Sequence, residues 1–503
     1  MKDRFAKGQR TASLKDKRRV TIWQLIFVYC PLSIVLCLNS CREYHVSDDP
    51  TLRLSFSTDT LLFDTVFTGQ GSATAQLLVY NRNAEAVCID RVWLDSATCF
   101  RINVNGEQDM SRLGDLVIYG GDSLYVFVRV DINTSDGHSA LLRTDRLHFH
   151  LATGTDQSVC LEAYGLDVTR IYGPKGRVDV GDYTFTAAKP YLVFDTLVVD
   201  GTLTFDAGAR LYMHNGACIY ALGDVAANGT LDEPVIISGD RLDNLFDSVP
   251  YRFAAGSWNG LYLQTDQPRQ WNFSYVDILS GNVGLYCYSN RSGSLPMLRM
   301  DGCRIHNHAM YGLVLVNTDA LVSNCEFSNC ASYCIYCAGG THTFVHSTVA
   351  SYFGYTNIRI QSTAKEDVAA VYIDNLSKQQ PQTVCSFYNS IITGYRTNQL
   401  VVATPFDQYY TGVFLGNYLK TDTLQIPHAE SNTYWQKSDT AEVFRNTFYR
   451  YKEYIYYDFR LDSLSPAIGI GDSLTALSYP LDRVAVSRLN CAPDAGCYQH
   501  TND

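Results

Sequence analysis

The chain has 503 residues, with 51 acidic side chains against 40 basic ones and a formal net charge of −11. This excess of acid argues against a nucleic-acid-binding protein, whose affinity depends on Lys and Arg at phosphates. An acidic chain would also need a locally basic groove to hold an anionic polysaccharide.

The first predicted element is an export signal. The first 19 residues carry eight basic and two acidic side chains, and an apolar segment follows from Val20 to Leu38. This order is typical of a signal peptide or a membrane anchor. The apolar segment lies at the lower limit of the length that spans a bilayer, so an uncleaved anchor helix is the less favoured alternative. Removing these basic and acidic residues with the signal leaves 32 basic and 49 acidic side chains, a net charge of −17.

The end of the apolar segment, Leu38-Asn39-Ser40-Cys41, resembles the lipobox of bacterial lipoproteins, with Asn39 where a small residue is more usual. The resemblance implies that the Cys41 thiol accepts a diacylglyceride and that cleavage frees its amine for another acyl chain. Two or more acyl chains, at roughly 0.8 kcal/mol per buried methylene, hold a protein at a membrane. We therefore expect a signal peptide over residues 1–41, a tether over 42–51, and a lipid anchor at the outer membrane or cell surface.

Apolar and polar residues alternate in short runs from residue 52 to residue 166. Within residues 124–130, for example, every second residue is aliphatic, as in a strand with one buried face. Short alternating strands separated by turn residues predict an immunoglobulin-like β-sandwich over 52–166. His148 and His150 point away from the apolar face of a similar run, and we interpret them as solvated residues rather than metal ligands.

A repeat of 22 residues follows, beginning at Asp301, Ser323 and Val345. Two columns of this repeat have the same strand parity and are predicted to face inward. They are the small residues Cys303, Cys325 and Ser347, and the large apolar residues Ile305, Phe327 and Val349. Stacked units of this length predict a right-handed parallel β-helix over residues 167–420, followed by a β-helix end and cap over 421–503.

Other columns of the repeat are polar or aromatic. Asn307, Asn329 and Ser351 are predicted to lie at a turn, with side chains that hydrogen-bond along the stack. Tyr311, Tyr333 and Tyr355 share the parity of inward residues, which predicts an internal aromatic stack near a corner. Arg304 and Glu326 have the opposite parity, and we expect them to form an ion pair on the outer surface.

The cysteines are interpreted mainly as small buried apolar residues. Of the 16 cysteines, 13 follow Cys41, and several occupy repeat positions. Cys491 and Cys497 are the two that a disulfide would most readily join. Cys334 and Cys337 form a single C-x-x-C motif without the second pair that a zinc site requires, so no metal or cofactor is assigned.

Three groups of residues, each drawn from separate segments of the chain, together carry a resemblance to pectin-lyase-like, right-handed β-helix lipoproteins of Gram-negative bacteria. They are Phe63-Asp64-Thr65-Val66-Phe67 with Val79-Tyr80-Asn81-Arg82-Asn83, Gly229 to Arg241 with Gly256 to Leu261, and Ser465 to Asp472 with Asp482, Arg488 and Asp494 to Tyr498. This family usually has Asp, Gly and Glu where Gly469, Ala485 and Gln499 stand here. The resemblance implies an all-β chain with a structural cap at its C-terminus.

A catalytic site is harder to identify from the sequence. Polysaccharide lyases of this fold use an acidic cluster that holds Ca²⁺ and a nearby base, whereas glycosidases use paired carboxylates. The aligned repeats show no acidic column, because Asp301 is followed by Ser323 and Val345. An active site could still lie within residues 357–420, at Arg359, Lys365, Asp374 or Arg396.

We therefore predict a non-enzymatic surface lipoprotein that acts as an adhesion or glycan-contacting scaffold. The expected partners are the membrane, polysaccharide and other surface proteins, and not nucleic acid. The alternative is a polysaccharide lyase or glycosidase, because the β-helix fold does not by itself decide the function.

Overall fold

The computed structural model describes residues 45–72, 74–108, 111, 113–133, 141–246, 249–290, 294–353, 369–374, 383–403, 410–421, 431–436, 442–447 and 457–501. Cys41 and the apolar segment before it lie outside these ranges. Within them, no helix is both long enough and apolar enough to cross a membrane.

The described residues form two compact units. The first contains the chain up to Leu61, Thr74–Arg129 and Thr144–Glu162, and the second contains Leu62–Ala73, Val130–Arg143 and the chain from Ala163 onward.

The N-terminal strands form a β-sandwich. In the described part of this region they are β1 (Ser55–Phe56), β2 (Thr60–Phe67), β3 (Ala75–Tyr80), β4 (Val87–Leu94), β5 (Phe100–Val104), β6 (Leu116–Ile118), β7 (Ser123–Val130), β8 (Leu141–Leu151) and β9 (Asp156–Leu166). One sheet has the order β1-β3-β7-β5 and the other β2-β9-β8-β4-β6. Phe56 of the first sheet packs on Phe149 of the second, with 5.2 Å between ring centroids. The alternating pattern thus gives the predicted sandwich.

The rest of the chain winds through three parallel sheets, which we name A, B and C. Sheet A contains β10 (Thr169–Ile171), β13 (Tyr191–Val193), β16 (Arg210–Met213), β19 (Val235–Gly239), β24 (Val276–Leu279), β27 (Arg304–His308), β30 (Glu326–Cys330), β33 (Thr348–Ser351), β36 (Ile391–Gly394), β40 (Tyr418–Leu419) and β41 (Thr433–Tyr434). Sheet B contains β11 (Arg177–Val180), β14 (Thr196–Val199), β17 (Cys218–Ala221), β22 (Gly260–Thr265), β25 (Val283–Ser289), β28 (Tyr311–Val316), β31 (Ile335–Ala338), β34 (Val371–Asp374) and β37 (Leu400–Ala403).

Sheet C contains β12 (Tyr183–Phe185), β15 (Leu203–Phe205), β18 (Val225–Asn228), β23 (Gln270–Ser274), β26 (Met297–Asp301), β29 (Asp319–Ser323), β32 (Gly340–Val345), β35 (Thr383–Tyr388) and β38 (Tyr410–Thr411), with β39 (Phe414–Leu415) also paired to β35. Two antiparallel pairs stand apart from these sheets, β20 (Asn244–Phe246) with β21 (Val249–Pro250) and β42 (Phe444–Asn446) with β43 (Asp458–Leu461). The described helices are the 3₁₀ turns Pro174–Gly176 and Tyr251–Phe253 and the α-helix α1 (Ser473–Ser478).

Each rung passes from sheet A to B to C and then returns to A, which makes the second unit a right-handed parallel β-helix. The 22-residue repeat is confirmed, since Ile305 pairs with Phe327 and Phe327 pairs with Val349 in successive strands. All three are fully buried, and Cys303, Cys325 and Ser347 are at most 1% exposed. The predicted inward orientation of both columns is therefore confirmed.

The asparagines of the predicted turn column adopt left-handed backbone geometry, which asparagine tolerates better than most residues. Asn307 has φ 65° and Asn329 has φ 54°. The Asn307 amide donates to the carbonyl of Arg252 at 3.5 Å, and the Asn329 oxygen accepts from the amide of Tyr352 at 3.1 Å. Their side chains thus bind loop and strand-end backbone beside the turn.

The C-terminal segment is held by buried polar residues, as a structural cap requires. Arg488 is 1% exposed and donates to the carbonyls of Tyr479, Leu481 and Gly496. Asp482 accepts hydrogen bonds from the amides of Val484, Val486 and Gln499. These bonds tie successive turns of the segment to one another.

The disulfide expected between Cys491 and Cys497 is not present. Both cysteines are free. Cys497 is buried in a cluster that contains Phe444 and Phe459, whereas Cys491 is exposed and accepts a hydrogen bond from Gln499 at 3.4 Å. The prediction was wrong because nearness in sequence does not place the two thiols in one environment.

Candidate functional site

A cavity of about 640 Å³ opens on the outer face of sheet A, within the second unit. This volume is in the range of small-ligand sites. Its lining comprises strand residues of sheet A, the loop around Arg252 and parts of the C-terminal segment, namely Arg252, Phe253, Leu279, Arg304, His306, Glu326, Tyr457, Asp458, Phe459, Arg460, Arg483, Val484 and Tyr498. Four arginines therefore face two carboxylates in an otherwise acidic chain.

The register of sheet A places two charged residues of the cavity, Arg304 and Glu326, in one outward column. Asp277 pairs with Arg304, Arg304 with Glu326, and Glu326 with Thr348 in successive strands. The neighbouring Ile305 points inward, so this column has the outward parity predicted for Arg304 and Glu326. Asp277 is an additional member that the sequence repeat did not reveal.

Arg304 forms its ion pair with Asp277 and not with Glu326, which corrects the expected pairing. The Nη2 atom of Arg304 lies 2.6 Å from Oδ2 of Asp277, while Nη2 of Arg483 lies 3.0 Å from Oδ1 of the same carboxylate. Burial acts to lower the pKa of Arg304, but the charges of Asp277 and Glu326 outweigh it and raise the pKa above its usual value. One carboxylate thus holds two arginines at the cavity.

Glu326 is buried and accepts its hydrogen bonds from other partners. The Tyr498 hydroxyl donates to its Oε2 at 2.7 Å, and the Ser328 hydroxyl donates to its Oε1 at 2.8 Å. Ser328 Oγ also lies 2.8 Å from Nδ1 of His306. These four side chains form a continuous polar chain along the cavity floor.

The pKa values of this chain are strongly perturbed. Burial and the positive charge of Arg304 lower the pKa of His306 well below its usual value, so its ring is neutral at pH 7. Burial and the negative charge of Glu326 raise the pKa of Tyr498 well above its usual value, so its hydroxyl keeps its proton. Perturbed groups of this kind are concentrated at functional sites, although structural networks also produce them.

Aromatic side chains and two further arginines complete the cavity. Tyr457 lies 5.9 Å from Phe459 and 6.5 Å from Phe253 between ring centroids. Arg460, which is exposed, pairs with Asp458 at 2.5 Å and lowers the pKa of that carboxyl against the opposing effect of burial. Apolar walls with a few convergent polar groups are typical of ligand sites.

The arginines at the floor keep hydrogen-bonding capacity that the protein does not use. The Nε atoms of Arg304 and Arg483 are buried and have no hydrogen-bond partner among the described residues. A guanidinium presents its donors in a planar fork that matches a carboxylate. Because an unpaired buried donor costs roughly 1–3 kcal/mol, the cavity is chemically suited to an anionic group.

Tyrosines form a second conspicuous feature, on the outer face of sheet B. They follow one column of neighbouring strands, with Val314 in the middle, and comprise Tyr220, Tyr262, Tyr286, Tyr336 and Tyr372. Tyr220 and Tyr262 stack at 4.8 Å, and Tyr336 and Tyr372 stack at 5.8 Å. Burial raises the pKa of Tyr262 to about 12.

Tyr311 and Tyr333 belong to this outer group, so the expected internal stack was wrong. Both are half-buried, their rings stack at 6.0 Å, and Tyr333 stacks on Tyr372 at 4.7 Å. Tyr355 lies outside the described residues. The reason is that Tyr311 begins β28 and Tyr333 precedes β31, so inward parity from later residues does not extend back to them. Since the rings cover one another's faces, few faces remain for a sugar to stack upon.

Several residues singled out in the sequence are not brought together into a site. Arg359 and Lys365 lie outside the described residues, as does Cys41. Asp374 accepts a hydrogen bond from the Tyr336 hydroxyl at 3.1 Å, and the carbonyl of Arg396 accepts one from Gln399 at 3.0 Å.

The two histidines of the sandwich each have their own acidic partner. His148 lies 2.8 Å from Asp95, and His150 lies 2.7 Å from Asp156. Both rings are at least partly exposed, as the alternating pattern predicted.

Sequence reasoning missed Asp277 as the partner of Arg304, and Arg483 and Tyr498 as residues that line the cavity. Asp277 was missed because it stands 27 residues before Arg304, and the longer rung hides it from a 22-residue offset. Arg483 and Tyr498 come from the cap, whose contacts with sheet A span 206 and 172 residues of sequence. No local pattern specifies such distant partners.

Comparison with known proteins supports the fold. The family described as right-handed β-helix region matches residues 259–402, which include β22 to β36 and most of β37. The chain matches no curated protein. Among solved structures it is similar to PapD-like domain 7 of human CEP192, at 11% identity over 25% of this chain and 95% of that one, with a TM-score of 0.18.

Two further similarities cover larger proteins only in part. A family 123 glycoside hydrolase from Clostridium perfringens matches at 8% identity over 26% of this chain and 31% of its own, with a TM-score of 0.20. The VesB protease of Vibrio cholerae matches at 15% identity over 22% of this chain and 31% of its own, with a TM-score of 0.16. The chain thus spans about a third of each of these two proteins.

Proposed function

We propose that the protein is a lipid-anchored surface scaffold whose β-helix binds an anionic glycan in the arginine-lined cavity. The observation that carries this proposal is the pair of buried, unpaired Nε donors of Arg304 and Arg483 beneath aromatic walls. A uronic-acid carboxylate would supply the acceptors that these donors lack, and bidentate pairing with a guanidinium would orient it. The sugar rings would lie against Tyr457 and Phe459.

Direct binding measurements test this proposal. Calorimetry should show that the protein binds carboxylated oligosaccharides, such as oligogalacturonate or oligoalginate, and not neutral oligosaccharides of equal length. Arg304→Gln should weaken that binding at least tenfold, about 1.4 kcal/mol, because one fork of donors is lost. Arg177→Gln is the matched control, since Arg177 is an exposed arginine paired with Asp179 outside the cavity. Equal binding of neutral sugars, or no effect of Arg304→Gln, would refute the proposal.

A polysaccharide lyase is the second candidate, and one observation favours it. The neutral His306 and the protonated Tyr498 lie in the same cavity as the arginines that could bind a uronate. A lyase needs cations such as these arginines next to a base that is free to accept a proton from the substrate. Here Tyr498 donates to Glu326 and His306 Nδ1 binds Ser328, so we infer binding without catalysis.

Incubation with pectate, alginate and glycosaminoglycans, with and without Ca²⁺, separates the two functions. We expect no growth of the absorbance of unsaturated products. Growth of that absorbance, abolished by His306→Gln or Tyr498→Phe, would establish a lyase instead.

The anchoring part of the proposal rests on the lipobox-like sequence that ends at Cys41. Cys41→Ala should abolish labelling by radioactive fatty acid and leave unprocessed precursor in the inner membrane. Persistent labelling would favour the uncleaved anchor helix. We also propose that the N-terminal sandwich is immunoglobulin-like.

A further inference from the structure

Three potential metal ligands lie close together inside the β-helix. None of them lines the arginine-lined cavity. Cys337 is in β31 of sheet B, and His342 and Cys385 are in β32 and β35 of sheet C. Their ligand atoms all lie within 4.8 Å of one another, and all three residues are fully buried. No sequence motif joins them, because Cys337 belongs to a single C-x-x-C motif that contains neither His342 nor Cys385.

The chain turn between Cys337 and His342 explains how two of the ligands meet. Gly339 has φ 75° and Gly340 has φ 108°, a backbone geometry that side chains rarely allow. A Cβ atom at Gly340 would lie 2.0 Å from the carbonyl oxygen of Thr318. The two glycines therefore permit a tight corner between sheets B and C, and the pairing of His342 with Cys385 in adjacent strands supplies the third ligand.

His342 provides an independent indication of a ligand. Both of its ring nitrogens are buried, and neither has a hydrogen-bond partner among the described residues. Buried polar atoms are nearly always paired, and each unpaired one costs roughly 1–3 kcal/mol. The buried His308 of sheet A, by contrast, has Nδ1 near the amide of Gly281 at 3.2 Å and Nε2 near the carbonyl of Ile278 at 3.1 Å.

We propose that Cys337, His342 and Cys385 bind one soft divalent metal ion, of which Zn²⁺ is the best match, in the interior of the β-helix. Thiolate and imidazole ligands select soft or borderline ions and disfavour Ca²⁺ and Mg²⁺, which require oxygen ligands. Two thiolates and a neutral imidazole around a divalent ion carry no net charge, so the burial cost of an isolated ion is avoided. Binding releases the two thiol protons to solvent.

The site is structural rather than catalytic, because its ligands are enclosed by the apolar core. Leu315 and Ile373 flank Cys337 in sheet B, and both are at most 1% exposed. Substrate cannot reach such an ion, whereas the ion would link sheets B and C across one corner. Metal must therefore enter during folding, and a folded metal-free chain should take it up slowly.

Metal analysis of the full-length chain tests the proposal. Protein produced with added zinc and purified under reducing conditions without chelator should contain about one zinc per chain. Refolding with Co²⁺ in place of zinc should give the intense absorption of cobalt–thiolate bonds. Cys385→Ala and His342→Leu should lose the zinc. Cys287→Ser is the matched control, because Cys287 is fully buried in the same column of sheet B but lies outside the cluster, and it should retain the zinc.

Two results would overturn the proposal. One is a folded, reduced wild-type chain without zinc and without the cobalt–thiolate band, a measurement that does not depend on any variant folding. The other is a disulfide between Cys337 and Cys385 in protein isolated from its native compartment, since the thiolates would then be unavailable. Neither result bears on glycan binding, so the two proposals can fail separately.

Discussion

The rungs between residues 301 and 351 and the C-terminal segment from residue 457 onward both contain fully buried side chains, but different chemistry holds them. The interior of the rungs consists of apolar columns, in which Ile305, Phe327 and Val349 repeat one another. The C-terminal segment instead buries Arg488 and Asp482 and satisfies them with backbone groups. A repeating interior tolerates no charge, whereas the cap depends on one. Substitutions that place a charge in the rung interior, or remove the buried charge from the cap, should therefore lower the free energy of unfolding most.

The largest expected effect comes from placing a charge in the interior of the rungs. Cys325 is fully buried in the apolar core. The substitution Cys325→Asp would therefore bury a carboxylate without a cationic partner. We expect a loss of about 5 kcal/mol in the free energy of unfolding. Denaturant titration measures it, and Cys491→Asp, at an exposed cysteine, is the control that should change little. Wild-type stability of Cys325→Asp would mean that the interior column is misassigned.

The reverse substitution removes a charge from the cap. Arg488→Leu leaves the carbonyls of Tyr479, Leu481 and Gly496 without this donor. Burial of the remaining acceptors and loss of packing should cost about 4 kcal/mol. Limited proteolysis should also show that cleavage begins in the C-terminal segment. If Arg488→Leu unfolds like the wild type, the cap is held by its apolar contacts instead.

The same contrast explains what the sequence could predict. The interior columns were predicted because a 22-residue period and strand parity determine which side chains face inward. Arg304 was placed on the outer face by the same rule, but its partner Asp277 was not identified, because the two are 27 residues apart and the 22-residue offset does not align them. Arg483, which binds the same carboxylate from 206 residues away, has no place in the repeat. The cluster of Cys337, His342 and Cys385 was missed for a related reason. His342 and Cys385 are 43 residues apart, across a rung lengthened beyond the 22-residue repeat.

Acid should weaken the rungs through buried histidine. Burial lowers the pKa of His308 to about 4, against the ordinary value of 6.5. As the pH falls below about 6.5, the histidine of the unfolded chain binds a proton while that of the folded chain does not. The contribution of neutral His308 to the free energy of unfolding is therefore complete above pH 6.5 and is lost as the pH falls towards 4. The shift corresponds to about 3 kcal/mol.

Denaturant titrations at pH 7.5 and pH 4 measure this effect as a difference between chains. The wild type should lose about 3 kcal/mol more than His308→Gln, whose side chain does not titrate. His150→Gln removes a partly exposed histidine of the sandwich and should keep the wild-type acid sensitivity. Identical pH dependence of wild type and His308→Gln would show that His308 does not stay neutral in the folded rungs.

The smallest expected effect is a gain of stability in the cap. Ala485 is exposed and has φ 65°, a left-handed geometry that costs a residue with a Cβ atom roughly 1–2 kcal/mol. Glycine at this position would remove that cost, because it has no Cβ atom. Ala485→Gly also gives the unfolded chain more freedom, which offsets part of the gain.

The net result of Ala485→Gly should be a rise of about 1 kcal/mol in the free energy of unfolding, because the backbone strain exceeds the added chain entropy. Ala492→Gly provides the comparison, since Ala492 is also exposed and does not have a positive φ. There only the entropy of the unfolded chain changes, and stability should fall by about 0.5–1 kcal/mol. Opposite signs for the two substitutions would show that the cap retains local strain, which its buried Arg488 and Asp482 overcome. Equal signs would show that the turn at Ala485 relaxes at little cost.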